Sequence, residues 1–217
     1  MDLSGLPFTL EIMLPSDILT VSSIEGQVFA TPWSAEAYLQ ELLYHVDAYY
    51  YVLRFTDRNV LDERYPQRPW AGTHDPALIG YGGLWLILEQ GHVSTLAVRP
   101  SWRGRGLGGL LFASLVEKAM DVGCEELTLE VRITNQRAQN LYAKYGLQVT
   151  GRRPRYYPDN QEDAWIMSSP PLHGYAYREA FGELVGQLRS RLLSERQTIP
   201  ELTACQRGRA QSPDQRT

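Results

Sequence analysis

The chain has 217 residues and a mass of 24.7 kDa, room for one domain with an appendage but not for two full ones. Hydrophobic residues at 43% against 21% charged describe a soluble globular protein with an ordinary core, and a formal net charge of -4 excludes a surface that grips nucleic acid or an anionic membrane as a whole. Two distant cysteines, Cys124 and Cys205, exclude a disulfide framework or a structural zinc and fit a reducing, cytoplasmic setting.

The first residues carry no basic leader, and no apolar run nears the roughly 20 residues of a membrane span, so secretion and membrane insertion are not expected. Ile18, Val21, Ile24 and Val28 recur at helical spacing after Asp17, which predicts a helix. Thr31-Pro32-Trp33 breaks it, and Ser34 is placed to cap a second helix over 35–43. Tyr49 to Leu53 reads as a strand. Residues 57–76 change to Asp, Arg, Pro and Gly without apolar period, the mark of a long loop insertion. Strands are expected over 78–88 and 92–98, then a glycine-rich turn and a helix to Val122 closed by Gly123. Leu127 to Arg132 is a strand. Asn135 is placed to cap a helix with Ala138, Leu141, Tyr142 and Tyr145 on one face. Leu147 to Tyr157 and Ala164 to Ser168 read as a final strand pair. Tyr177, Phe181, Val185, Leu188 and Leu192 are spaced for an amphipathic helix within 173–198, packed on the domain or on a second copy. The polar 199–217 reads as a disordered tail.

Arg103-Gly104-Arg105-Gly106-Leu107-Gly108-Gly109 lies between a strand and a helix. Glycines let backbone N–H groups converge on one point, and a helix beginning there adds the positive end of its dipole. That makes a phosphate cradle; the stretch reads equally, on its own, as a tight turn with solvated arginines. It also satisfies Gly-x-Gly-x-x-Gly at Gly104, Gly106 and Gly109, with Glu130 on the next strand. A dinucleotide-binding fold places this turn after its first strand and continues with strand–helix units. Here it comes midway and one helix follows before the terminal hairpin, so a nicotinamide-binding oxidoreductase is the weaker reading.

Taken as Arg103-x-x-Gly106-x-Gly108, the stretch resembles the acetyl-CoA signature of the GNAT N-acetyltransferases, and more closely that of the ribosomal-protein-alanine N-acetyltransferases of the RimI type. The matching segments run in order: 29–34, Leu96-Ala97-Val98, 103–109, Leu129 to Arg132, Asn135, Asn140-Leu141-Tyr142, Arg155 to Pro158, and Glu162-Asp163-Ala164. The resemblance spans roughly residues 8 to 172, implying a GNAT domain over 1–172. It implies an α/β fold with a mixed, twisted sheet, splayed between strands 4 and 5 and flanked by helices. By the same resemblance acetyl-CoA sits in the splay as cosubstrate, with no metal. Its pantetheine arm pairs with the backbone of Leu96, Ala97 and Val98. Gly104 to Gly109 hold the diphosphate, helped by Arg103 and Arg105, and Asn135 contacts the cofactor's amides as well as capping its helix.

The resemblance makes Glu130 the general base and Tyr142 the general acid toward the departing thiolate. Alternation along Leu127 to Val131 puts Glu130 on the face opposite the apolar residues, and apolar walls such as Leu129 and Val131 would raise its carboxyl pKa toward that of a competent base. Tyr142 is alternatively a core aromatic. Tyr156 and Tyr157 read on their own as ordinary strand aromatics; the resemblance implies that they close over the acceptor, the N-terminus of a protein, expected to be a ribosomal protein beginning with alanine. A lysine side chain or small amine as acceptor, and a non-catalytic acyl-CoA sensor, are the competing readings. His45, His74, His92 and His173 lack metal-ligand spacing and receive no role. Cys124 reads as a structural thiol.

Overall fold

A computed structural model describes residues 3–56 and 75–195. Most of the expected insertion (57–74, with His74), the expected tail 199–217 and Cys205 lie outside the described residues. Seven strands form one sheet: β1 (Phe8–Ile12), β2 (Ala48–Phe55), β3 (Leu78–Ile87), β4 (Gln90–Val98), β5 (Glu126–Arg132), β6 (Gln148–Tyr157) and β7 (Glu162–Ser168), in the order β1-β2-β3-β4-β5-β7-β6. Among the described residues five α-helices accompany them: α1 (Ile18–Val28), α2 (Ala35–Tyr44), α3 (Leu107–Asp121), α4 (Gln136–Lys144) and α5 (Tyr175–Glu195).

Among the described strands only β4 and β5 run parallel, and their pairing is short: Gln90 faces Glu126, Gly91 faces Leu127 and His92 faces Thr128. Beyond that point the strands separate. This agrees with the expected splay and removes the dinucleotide-binding alternative, whose sheet is mostly parallel. β1 was not among the expected elements. Its Phe-Thr-Leu-Glu-Ile alternation pairs antiparallel with β2, from Phe8 opposite Phe55 to Ile12 opposite Tyr51.

Helices cover both sheet faces. On one side Ile18, Val21 and Ile24 of α1 and Tyr38 of α2 pack against Val52, Leu78 and Tyr81. On the other, α3 is buried along most of its length, with Phe112, Leu115 and Val116 against Leu127, Leu129 and Val131 of β5. Ser34 caps α2 by accepting from the Ala37 N–H, and Asn135 caps α4 by accepting from Ala138, 3.1 Å in both cases. Cys124 is buried and unpaired, and burial pushes its thiol up.

α5 packs on the domain. Phe181, Leu188 and Leu192 are buried, and each such side chain contributes about 1.5–3 kcal/mol when fully covered. Tyr177 Oη donates to the Tyr145 carbonyl at 3.1 Å, and an Arg191 nitrogen donates to the Gly104 carbonyl at 3.3 Å. The helix therefore supports the glycine turn from beneath. No described helix is long and apolar enough to cross a membrane.

Candidate active site

Where β4 and β5 part, a cleft of about 660 Å³ opens. One wall is the β4 edge from Val93 to Val98, which has no strand partner on that side among the described residues. Its other edge is taken by β3, with Leu96 opposite Gly82, Ala97 opposite Tyr81 and Val98 opposite Gly80. An extended, amide-bearing ligand arm fits such an edge as an added strand would.

The glycine turn closes one end. Gly104 and Gly106 have φ of +86° and +78°, a region that glycine enters without a Cβ penalty. Gly106 is the N-cap of α3, so the helix's first N–H groups point out of the turn, where its dipole favours an anion. Arg103, Gly104, Gly106, Leu107, Gly108 and Gly109 line the cleft. Arg103 Nε also donates to the Val98 carbonyl at 3.1 Å, tying turn to strand. Arg105 is not among the lining residues; its guanidinium lies over the Trp102 ring, 5.1 Å from the centroid. The fit to a diphosphate thus rests on backbone N–H groups and Arg103.

Glu130, Asn135, Tyr142, Tyr156 and Tyr157 reach the same cleft. The Glu130 side chain is 7% exposed, with Arg153 Nε 2.7 Å from Oε1 and His92 Nε2 3.2 Å from Oε2. Tyr142 is buried beside Phe112, ring centroids 5.0 Å apart, and its hydroxyl has no hydrogen-bond partner among the described residues. Burial, and secondarily Tyr157, push its phenol well above the usual value. It is a core aromatic and a cleft residue at once. Tyr156 is 45% exposed and meets Tyr157 edge-on at 5.1 Å, while the Arg132 guanidinium lies 3.8 Å from the centre of the Tyr157 ring.

The acetyltransferase (GNAT) family model matches residues 31–147, more than half of the chain. The chain belongs to the GNAT family. A Bacillus subtilis protein that carries the provisional name ribosomal protein bS18-alanine N-acetyltransferase is 36% identical over 151 residues, which cover 70% of this chain and 87% of that protein. Among solved structures, the ribosomal-protein-S18-alanine N-acetyltransferase of Escherichia coli matches with a TM-score of 0.60 at 24% identity, over 76% of this chain and 94% of that one. Arabidopsis thaliana NAA60 in complex with acetyl-CoA also gives 0.60, at 18% identity over 74% and 97% of the two chains. These two likenesses speak for the fold. As a GNAT member, the protein is an acetyl-CoA-dependent N-acetyltransferase.

Three features of this acetyltransferase's cleft were not legible in the sequence. The first corrects an expectation: the Glu130 carboxyl is lowered, not raised. The His92 hydrogen bond is the largest cause; burial opposes it, and Arg153 adds to the lowering. Leu129 and Val131 cannot raise it as supposed, because their side chains belong to the core on the opposite sheet face. The second is His92 itself, given no role above, yet lining the cleft and stacked on Trp85 at 5.7 Å. The third is Glu25 of α1, buried at the cleft's far wall. Its Oε1 accepts from the Tyr38 and Tyr81 hydroxyls and its Oε2 from the Trp33 N–H. Trp33 stacks in turn on Trp85 at 5.8 Å, so this end of the cleft is aromatic. Among the described residues no group of His, Cys, Asp and Glu has the arrangement to hold a metal ion.

Proposed function

We propose that this GNAT enzyme transfers the acetyl group of acetyl-CoA to the free N-terminal amine of a protein, a ribosomal protein beginning with alanine, by direct attack in a ternary complex. The observation that carries the reading is the meeting, in one cleft, of an unpaired strand edge, a glycine turn at a helix N-terminus, a carboxylate and a buried phenol. The alanine acceptor is supported by the name of the Bacillus subtilis relative. The nearby Tyr156 and Tyr157 support an acceptor that enters end-on beneath aromatic side chains.

Acetyl-CoA supplies an activated acyl group. An N-terminal amine has a pKa near roughly 7.7–8.0 and is mostly a non-nucleophilic cation at neutral pH. Glu130 attracts that cation and accepts one of its protons, freeing the lone pair for the thioester carbonyl. As the carbon–sulfur bond breaks, the Tyr142 hydroxyl donates a hydrogen bond to the departing sulfur. With its phenol pushed up by burial, Tyr142 keeps its proton through the working pH range and stabilises the thiolate mainly as a donor.

The test is mass spectrometry of peptides beginning with Ala, Ser, Thr or Met, beside an N-blocked peptide bearing one lysine, after incubation with acetyl-CoA. The expected product is the α-acetylated Ala peptide. Modification of lysine alone would overturn the acceptor, and no transfer to any peptide would overturn the protein-acetylating reading.

A further inference from the structure

Three rings form a continuous stack along one wall of the cleft. His92, whose Nε2 lies 3.2 Å from Glu130 Oε2, stacks on Trp85 with an interplanar angle of 20°, and Trp85 stacks on Trp33 at 24°. All three line the cleft. The stack therefore runs from the carboxylate across β4 and β3 to the segment between α1 and α2. Its middle ring is the most firmly held. Trp85 sits opposite His92 of β4 and Ala48 of β2, so its backbone is paired on both sides. Its indole N–H is shared between Glu41 Oε2 at 2.7 Å and Tyr50 Oη at 3.0 Å, and the Tyr50 hydroxyl donates to the same carboxylate oxygen at 2.8 Å. An indole stacked on two rings and hydrogen-bonded at its edge cannot turn aside without breaking these contacts. Trp33 is fixed as well: its backbone N–H donates to Glu25 Oε2 at 3.3 Å, and its ring packs on the buried Tyr38 at 5.4 Å.

We propose that Trp85 is a specificity-determining residue: with Trp33 it forms a rigid wall that admits a small first side chain on the acceptor and rejects long or branched ones. The inference rests on the reading of an N-terminal amine held beside Glu130. The first side chain of such an acceptor branches from the carbon next to the reacting nitrogen, so an amine at Glu130 presents that side chain to the stack that begins there. A methyl or hydroxymethyl group packs against the indole edges. A larger group has to push a ring out of the stack, and overfilling a pocket that does not relax is unfavourable. A single methylene in an apolar pocket already changes kcat/KM by about 10–200-fold. Charge does not take part in this sorting. The Glu25 carboxylate behind Trp33 accepts from the Tyr38 and Tyr81 hydroxyls on one oxygen and from the Trp33 N–H on the other, which leaves the size of the side chain as the property the wall reads.

The decisive experiment measures kcat/KM at saturating acetyl-CoA on peptides that differ only in their first residue, Ala, Ser, Val, Leu or Phe, for the parent enzyme, Trp85→Ala and Trp85→Phe. The parent is expected to prefer Ala over Leu by at least about 100-fold. Trp85→Ala is expected to shrink that ratio by about 10–100-fold, with an absolute gain on the Leu peptide that a damaged fold does not produce. Trp85→Phe keeps a ring in the stack but loses volume and the N–H anchor, so its ratio shifts the same way by less; it carries the test should Trp85→Ala not fold. Calorimetric affinity for coenzyme A is expected to stay that of the parent in both. An unchanged Ala-to-Leu ratio in folded Trp85→Phe, or a uniform loss on every peptide, would reduce Trp85 to a packing residue, and equal use of Ala and Leu by the parent would remove the filter outright. Acetylation of none of the peptides by the parent would overturn the N-terminal acceptor reading itself, and the filter with it, so the two failures are told apart.

Discussion

At Glu130 two demands conflict: a base for an amine gains from a high pKa, yet His92 and Arg153 hold this carboxyl low. On the proposed reading, the lowering favours an anion that draws in an ammonium and is kept in place by two neighbours. Glu130→Gln removes that charge, and kcat at neutral pH is expected to fall by about 10²–10³-fold while calorimetric binding of acetyl-CoA is unchanged. The same shift affects stability. A group whose folded pKa is depressed stabilises the fold above its ordinary pKa, and that contribution is lost as pH falls through the folded value. The melting-temperature gap between wild type and Glu130→Gln should therefore be widest near neutrality and close below pH about 4; a gap that widens in acid would contradict the direction of the shift. Tyr142→Phe keeps the ring against Phe112 and deletes only the hydroxyl. It is expected to slow kcat by about tenfold, a loss of roughly 1.4 kcal/mol in the transition state, with an unaltered melting transition. Equal slowing and unfolding would return Tyr142 to a purely structural role.

Between elements, the glycine turn depends on what lies beneath it. A Cβ on Gly106 would have to adopt φ near +78° and would approach Leu188 Cδ1 of α5 to 3.1 Å. Gly106→Ala should thus cost about 1–2 kcal/mol in backbone strain and raise the KM for acetyl-CoA far more than that for the peptide; equal changes in both would mean that the turn does not hold the donor. Most elements were legible because their periodicity and punctuation agreed: Ser34 and Asn135 cap where expected, and Gly123 and Gly146 follow the ends of α3 and α4. β1 was not legible although Phe8 to Ile12 alternates strictly between Gly5 and Pro15, because five residues are too few for a period of two to stand out. Glu130 and Tyr142 could be located through ordered motifs. Their partners could not, since His92 meets Glu130 only through the β4–β5 register, Arg153 only through the hairpin fold-back, and Glu25 looks from sequence like any polar residue on a helix.

Over the molecule as a whole, the splay leaves β1–β4 and β5–β7 joined at the cleft by three residue pairs, with α3, α4 and α5 packed across the division. The family resemblance carried this architecture as far as β7, but gave no account of α5, whose Leu188 and Leu192 sit under the glycine turn. A ligand lying in the splay would touch the β4 edge, the turn and α4 together, and so tie both halves of the sheet. Such binding favours only the folded state, by RT ln(1 + [L]/Kd), about 2.7 kcal/mol at a hundredfold excess over Kd. For a domain of this size each kcal/mol raises the melting temperature by about 2–4 °C, so saturating coenzyme A should lift it by roughly 5–10 °C in a single cooperative transition. Gly106→Ala should blunt that rise, whereas Glu130→Gln, altered at the acceptor side, should preserve it. A rise confined to acetyl-CoA and absent with coenzyme A would place the binding energy in the acyl group rather than in the turn and strand edge; no rise with either would remove the splay as the donor site.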